Sequence, residues 1–505
     1  MGVFSKPMLR IILLVILSFL FIPASSHLES GEDGYISALI SNEGLDFAKD
    51  LLINKSVSSM IPLQVPDIDK YVKIPVIGRV HVALSNITIY SVDISSSFVR
   101  TGESGVVLVV SVATANLSMN WSYSYRTWLV PVPISDQGSA FVEVQGMEVG
   151  VDVALNYQEG TLTLSLLDCG CNVEDVSIKL DGGASWLYQV VVDAFQRKIV
   201  TSVENAVSKK IREGMIKLDS LLQSLPRQIR VNSIAALNVT FTSSPVLSDS
   251  SVELEINGLI TGADEILVSR HYHKGSHHSV SCKGSMKMFE FSLDETVFES
   301  ASLLYFNANY MHWTVDEVPE QSLLNTAGWR YIVPQLYEQY PDENMDFNIS
   351  VTSLPIIQIG GHDINTTIYT DFIIDVLHSD EVVPVACISL VINASGSAEI
   401  SGSNLAGSIR LVDFTASLKW SNIGPLHLHL IQSVMSTILE TAFLPYLNLH
   451  LGRGLPVPLP GGYALQNAEI VYVDSRVVIC SDVTNAEQTD LKQLPTQLYQ
   501  LVVYS

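Results

Sequence analysis

Charge is what this sequence has least of. Only 16% of its 505 residues are Asp, Glu, Lys or Arg, while 47% are apolar, against about 25% charged in an ordinary soluble domain. The surplus apolar surface must face a ligand, a partner or a membrane. Basic residues are the scarcer kind, 28 Lys and Arg against 52 Asp and Glu, leaving a formal charge of −24 that is concentrated in the second half. Broad contact with nucleic-acid phosphates needs an excess of Lys and Arg and is excluded. Attraction to an anionic surface would have to be local. Cysteine is sparse too. The five present, Cys169, Cys171, Cys282, Cys387 and Cys480, cannot all pair within one chain, so at least one thiol stays free. The Cys169-Gly170-Cys171 spacing is too tight for most disulfides, and no second close pair exists to build a zinc site.

Catalytic signatures are missing as well. There is no Gly-x-Ser-x-Gly elbow, His-Glu-x-x-His, phosphate loop or Gly-x-Gly-x-x-Gly at a strand-helix junction, which leaves the common hydrolase, zinc-protease and nucleotide-binding chemistries without a foothold. Gly360-Gly361-His362-Asp363 sets an acid beside a base, but strand neighbours point to opposite faces, and the reading is a loop histidine. His427 and His429 fall on one face of an extended Leu426-His427-Leu428-His429-Leu430, a polar face beside buried leucines. Four histidines between Arg270 and Ser285 lack carboxylates at fixed spacing and read as an exposed linker between two halves. No catalytic residue, metal or cofactor is expected.

Beyond the first 26 residues, no segment is uniformly apolar for the ~20 residues a bilayer span needs. Residues 1–26 carry Lys6 and Arg10, an apolar run from Ile11 to Phe21, and then Pro23-Ala24-Ser25-Ser26. This is the pattern of a secretory signal, so a secreted, extracellular protein is expected. Eight glycosylation acceptors agree with export: Asn54, Asn86, Asn116, Asn120, Asn238, Asn348, Asn365 and Asn393, each followed at the second position by Ser or Thr.

What the chain does have is two long apolar helices set among alternating strands. After the turn Asn422-Ile423-Gly424-Pro425, the pairs Leu430-Ile431, Val434-Met435, Ile438-Leu439 and Ala442-Phe443 recur every four residues, one wide apolar stripe that Pro445 ends or kinks. Trp186-Leu187, Val190-Val191, Ala194-Phe195, Ile199, Val203 and Ala206-Val207 keep the same beat earlier, closed by Pro226. Gly34 to Met60 and Val297 to Tyr310 read as the helices that open each half. Period-two runs fill Tyr71 to Leu167 and Met345 to Trp420. Helix, strands, helix, strand occurs twice, two copies of one unit. Antiparallel strands wrapped around a helix make a half-closed barrel, an α+β class without the crossovers of a parallel sheet.

The stretch Ser421-Asn422-Ile423-Gly424-Pro425, the helix after it, Leu444-Pro445 and Gly454-Leu455-Pro456-Val457-Pro458 resemble the carboxyl-terminal barrel of a family of lipid carriers. It includes bactericidal permeability-increasing protein, lipopolysaccharide-binding protein and the plasma phospholipid and cholesteryl ester transfer proteins. Ile40-Ser41-Asn42-Glu43-Gly44-Leu45-Asp46-Phe47-Ala48 is similar to the family's first helix, Val65 to Ile77 to its entry strand, and the helix from Trp186 to its second. Plant secreted members look closest. The resemblance implies two tubular lipid-binding barrels, each a long helix wrapped by twisted antiparallel sheet, joined by a central β-sheet in an elongated pseudo-two-fold arrangement. It implies a signal peptide (1–26), an N-terminal barrel (27–228), a central sheet (229–265 and 455–483), a linker (266–290), a C-terminal barrel (291–454) and a tail (484–505). The family's usual disulfide would join Cys169 or Cys171 to a position near Ser208, where no cysteine stands.

On that reading, Leu45, Leu51, Trp186 and Val190, with Val191, Phe195, Ile199 and Val203, line a first acyl-chain pocket. Val434, Met435, Ile438, Leu439 and Phe443 line a second. Where lipopolysaccharide-binding members carry a basic hairpin, this chain has Trp121, Tyr123, Tyr125, Arg126 and Trp128, one basic residue among four large aromatics. Trp and Tyr favour the level of lipid headgroups, so this hairpin is expected to touch a membrane or lipid aggregate. The expected partner is phospholipid or lipopolysaccharide, recognised in innate defence. The rival is a shuttle carrying phospholipid or sterol ester between membranes, with a secreted hydrolase third.

Overall fold

A computed structural model describes residues 33–485 except 76, 103–104, 128–131, 182–184, 264–286, 319–320, 380, 403 and 458–462. The signal segment, Trp128, the histidine-rich linker and Cys282 therefore lie outside the described residues, as does the tail beyond Asn485.

The chain opens with strand β1 (Ile36–Ser41) and helix α1 (Asn42–Met60), so the helix expected from Gly34 starts eight residues late. Ile36 pairs with Ile256 on one side and Leu293 on the other, and two ladders hold these β-branched residues extended against any local helical preference. Ser41 then caps α1 by accepting from the Gly44 N–H at 3.3 Å. Gly44 is required here, because a Cβ would lie 2.4 Å from the Met288 carbonyl oxygen.

Short strands β2 (Leu63–Gln64) and β3 (Ile68–Ile74) lead into four long ones, β4 (Gly78–Thr101), β5 (Val106–Tyr125), β6 (Ile134–Gln158) and β7 (Thr161–Asp181). They form one antiparallel sheet in the order β2, β4, β5, β6, β7, with β3 also on β4, and helix α2 (Ser185–Gln223) lies across it. Alternation decides the inner face. Ala113, Ala115, Leu117, Met119, Trp121 and Tyr123 of β5 are all buried. In β6 the buried set passes from Ala140, Val142 and Val144 to Met147, Val149 and Val151; Gly146 at φ 61° supplies the extra residue that shifts the phase.

Strands β8 (Gln228–Arg230), β9 (Ala235–Asn238), β10 (Val246–Ser248), β11 (Ser251–Ile256), β12 (Ile260–Gly262) and β13 (Phe289–Asp294) follow, then helix α3 (Glu295–Asn307). Asp294 caps α3, accepting from the Thr296 N–H at 3.1 Å, and the helix begins at Glu295, two residues before the expected Val297. The second barrel comprises β14 (His312–Val315), helix α4 (Pro334–Gln339), β15 (Asn344–Val351), β16 (Ile356–Ile359), β17 (Ile364–His378), β18 (Glu381–Ser401) and β19 (Asn404–Ser421). It is closed by helix α5 (Leu428–Ile438), a wider π turn (Leu439–Phe443) and helix α6 (Leu444–Leu451). After β20 (Leu455–Pro456), strands β21 (Tyr463–Val473) and β22 (Arg476–Asn485) return to a six-stranded sheet ordered β10, β11, β1, β13, β22, β21. That sheet joins the two barrels, and strands from the beginning, middle and end of the chain meet in it.

Pro445 does not end the helix. The Leu444 N–H reaches back five residues to the Leu439 carbonyl, and this widened turn admits a residue without an N–H. The helical stretch Leu428–Leu451 is long and apolar enough to cross a membrane by length and composition, but its Ile431, Met435, Ile438 and Leu439 are buried in the second barrel. His427 stands at the N-terminus of α5 and His429 within it, so the extended segment expected there is absent. The two rings are 5.9 Å apart and both are exposed.

On the second barrel, Asp346 faces Asp375 across β15 and β17. Burial and then the Asp316 carboxylate push the Asp346 pKa up; burial and then Asp346 push Asp375 up. A carboxyl that holds its proton more tightly when folded favours the fold most below its unfolded pKa, near 3.8. That contribution is lost as pH rises through the raised folded value. Asp346→Asn is therefore expected to melt higher than wild type near neutral pH and to lose less stability between about pH 4 and pH 7. Thermal melts of both proteins across that range check the sign.

Candidate functional site

The N-terminal barrel is packed unevenly along its length. At the end where β3 turns into β4, Val80, Val82, Leu84, Leu117 and Val142 are between 0% and 2% exposed, and Phe195, Ile199 and Val203 of α2 are buried among them. Partial cover occurs at both ends: Ile77, Tyr125 and Ile178 lie near the β3–β4 turn, and toward the central sheet buried Val110, Met147 and Leu162 alternate with less covered neighbours. Val92 and Ile94 of β4, Leu108 of β5, Val153 of β6, Leu166 of β7, and Ile211 and Met215 of α2 lie against the core but are only partly covered. Helix α1 borders β4 here, and of its nineteen residues only Gly44 and Lys49 are buried. Leu45, Phe47, Leu51 and Ile53 are half-buried. Full burial of such a side chain is worth roughly 1.5–3 kcal/mol, so half-covered ones leave stabilisation that a bound hydrocarbon chain would supply.

Charged side chains on the two helices bind the edge strands of this sheet. On β7, Glu204 of α2 accepts from the Val173 N–H at 3.1 Å and Asp219 from the Leu164 N–H at 2.8 Å. On β4, Lys49 of α1 donates to the Ser97 carbonyl at 3.2 Å. Carboxylates satisfy donors on one edge and an ammonium an acceptor on the other, the condition for leaving a sheet edge without a further strand. Burial lowers the Lys49 pKa, but hydrogen bonds to Asp46 and Asp50 raise it by more, and it ends above the usual lysine value.

Of the eight residues expected in the first pocket, Leu45 and Leu51 are half-buried on α1, while Phe195, Ile199 and Val203 are solid core. Trp186, Val190 and Val191 fall in the first turns of α2, and their side chains lie outside the described residues. The sequence reading missed Val92, Ile94, Leu108, Val153, Leu166, Ile211 and Met215. Their alternation is visible in the sequence, but their partial cover is not. In the second barrel, Val434, Met435, Ile438, Leu439 and Phe443 are 0% to 7% exposed, packed in one core with Trp329, Phe347 and Phe372. A chain enters there only if side chains move. A separate polar cleft of about 300 Å³, lined by His362, Asp363, Ser397, Ser408, Arg410 and Tyr472, lies between this barrel and β21.

Of the four hairpin aromatics, Trp128 lies outside the described residues, and Trp121 and Tyr123 are not displayed as expected. Trp121 and Tyr123 are 6% and 8% exposed, their rings stacked 5.9 Å apart, with Tyr125 a further 6.2 Å on. The Trp121 indole N–H donates to the Ser139 carbonyl at 2.9 Å. Positions 121, 123 and 125 share one face of β5, and that face points inward. Beside the apolar Val132 and Ile134, 65% and 37% exposed, the tip exposes basic residues: Lys73 and Arg79 stand opposite each other on β3 and β4. Val80 pairs with Tyr125, which sets Arg79 and Arg126 side by side at the end of the ladder. All three are exposed, and none has a carboxylate partner among the described residues. The turn at Pro75 to Gly78 between two basic residues was the sequence signal for this cluster.

Cys169, Cys171 and Cys387 are free and Cys480 is disulfide-bonded. Burial, followed by Glu204 and Cys169, pushes the Cys171 thiol up to about 12. Between β7 and α2, where the resembled family has its usual disulfide, the ties are the Glu204 and Asp219 hydrogen bonds. Of the glycosylation acceptors, Asn54, Asn86, Asn120 and Asn365 are exposed, and Asn116, Asn348 and Asn393 are half-buried. Asn238 is 5% exposed, and its side-chain oxygen accepts from the Thr240 N–H and hydroxyl, leaving no room for a sugar in the folded chain.

Comparison with known proteins agrees with this architecture. Residues 44–225 match the LBP / BPI / CETP family, N-terminal domain, and residues 229–484 match its C-terminal domain. A BPI/LBP family protein of Arabidopsis thaliana is 50% identical over 480 residues, covering 95% of this chain and 98% of its own length. Lipopolysaccharide-binding protein of Homo sapiens is 23% identical over 444 residues, covering 85% of this chain and 89% of its own. A crystal structure of lipopolysaccharide binding protein superposes with a TM-score of 0.64 at 20% identity over 90% of this chain and 99% of that one. Two helix-and-sheet barrels in an elongated pseudo-two-fold arrangement about a shared sheet, matched by both domain signatures along nearly the whole described chain, make this protein a member of the LBP/BPI/CETP family.

Proposed function

We propose that the protein binds a single-chain or two-chain lipid by taking hydrocarbon against the partly covered lining of its N-terminal barrel, and that it docks on lipid surfaces through Lys73, Arg79 and Arg126. The observation that carries this reading is the partly covered apolar lining from Val92 to Met215 beneath a helix with no buried apolar side chain. Membership of a family that includes lipopolysaccharide-binding protein supports it. Acyl chains in a membrane are already dry, so uptake is a near-balanced exchange, and the protein contributes a preformed apolar slot and a place to dock. The tip favours anionic headgroups, phosphorylated lipopolysaccharide or acidic phospholipid, which makes recognition in defence the leading role and transfer between membranes the alternative. In both roles the protein is exported, and lipid is bound without being hydrolysed.

Mass spectrometry of lipid extracted from the purified protein is expected to find bound acyl lipid. Ile94→Trp, which fills the slot, is expected to cut uptake of labelled phospholipid from vesicles by about tenfold, equivalent to ~1.4 kcal/mol. Protein that carries no lipid, and accepts none from phosphatidylcholine, phosphatidylglycerol or lipopolysaccharide, would end the reading. Vesicle-to-vesicle transfer without lipopolysaccharide affinity would favour the shuttle.

A further inference from the structure

Among the described residues, no strand pairs with the second edge of β4 beyond Ile89, since β2 reaches Thr88 and Ile89, and β3 reaches only Gly78 to Leu84. Helix α1 runs along the unpaired remainder. Its two ends are fixed, by Ser41 and Gly44 against Met288 and by the strand pairing of Leu63. Its middle is not. Among the described residues, the one hydrogen bond or ion pair from Leu45–Met60 to the rest of the barrel is that of Lys49 with the Ser97 carbonyl. Lys49 is also the only charged side chain buried between residues 42 and 223 among the described residues.

We propose that lipid enters sideways between α1 and the unpaired edge of β4, and that Lys49 is the positioning residue that holds this edge shut. The inference rests on the slot being the lipid site. The charge arrangement makes opening cheap: Lys49 Nζ lies 3.1 Å from Asp46 and 3.2 Å from Asp50, both on α1 and more than half exposed. When the ammonium swings away from Ser97 its counter-charges travel with it, so no unpaired charge is left inside, and the bond given up is to a neutral carbonyl. The entering chain then covers Leu45, Leu51 and Ile94, which water partly wets in the closed state.

The test is the rate of exchange of fluorescent phosphatidylcholine between phosphatidylcholine vesicles and the full-length protein. Lys49→Met keeps the apolar stem and removes the latch; it is expected to raise the uptake and release rates together by about tenfold, the scale of one hydrogen bond to a charged group, with equilibrium occupancy unchanged. Lys49→Arg is expected to restore slow exchange. A purely structural role would lower occupancy or melting temperature and leave the ratio of uptake to release altered. Should Lys49→Met fail to fold, hydrogen exchange on the wild-type protein decides: residues 90–101 are expected to exchange faster during incubation with vesicles, and Trp121 to Tyr125 at an unchanged rate. Wild-type rates in a folded Lys49→Met, or no change at residues 90–101, would overturn the latch. A wild-type protein that takes up no phosphatidylcholine would instead remove the slot reading itself.

Discussion

Replacing Lys73, Arg79 and Arg126 together by Glu is expected to lower affinity for vesicles rich in anionic lipid by about 100-fold or more. Each basic residue near such a surface contributes about 1 kcal/mol, so neutralising three removes about two decades, and reversal adds repulsion. The rest of the molecule cannot compensate, because the chain as a whole carries a formal charge of −24, which would otherwise push it away. Lys73 directly opposite Arg79 is a like-charged cross-strand pair, and replacing both by Glu keeps a like-charged pair in its place, so the triple variant should fold about as well as wild type. The wild-type interaction should weaken steeply with salt, since exposed charges are screened over about 8 Å at physiological ionic strength. Co-sedimentation with phosphatidylglycerol vesicles at low and high salt measures both effects. Equal binding by wild type and the triple variant would remove the tip from the mechanism and leave the slot standing.

Trp121→Ala is expected to act on stability, not on docking. The indole is 6% exposed, stacked on Tyr123 and bonded to the Ser139 carbonyl, and truncating a buried Trp costs about 3–5 kcal/mol through lost burial, the cavity left behind and an unsatisfied carbonyl. Gly138 lies so close beneath the ring that a Cβ there would sit 2.7 Å from it, so the strand has no side chain with which to refill the hole. The N-terminal barrel should melt several degrees earlier, while the folded fraction binds anionic vesicles with wild-type affinity. Weakened vesicle binding with unchanged melting would return the aromatic ladder to the surface role that its composition suggested.

These two substitutions mark where local reading succeeds. The spacing of Trp121, Tyr123 and Tyr125 tells that three rings share a face, because side chains alternate in any strand. Which side of the sheet is inside depends on helix α2 lying across it, and α2 begins some sixty residues later. The three basic residues are separated by up to 53 positions (126 − 73) and become one cluster only through the register of β3, β4 and β5. Nothing in the spacing of Gly34 to Met60 singles out Lys49; that it is buried follows from the strand edge it meets.

By itself the sequence determined the repeated order of helix, strands and helix, the apolar stripes of α2 and α5, and the scarcity of charge that leaves greasy surface in want of a ligand. Those properties are periodic and local, and periodicity survives without coordinates. Tertiary structure alone decided that Ile36 to Ser41 is a strand, since two partners drawn from distant parts of the chain hold it extended. It also decided that a helix passes through Pro445 by a widened turn, and that the second barrel is filled while the first keeps a partly covered lining. The physical reason is the same in each case: pairing, close approach and packing density are sums over residues far apart in sequence, and no window along the chain contains them.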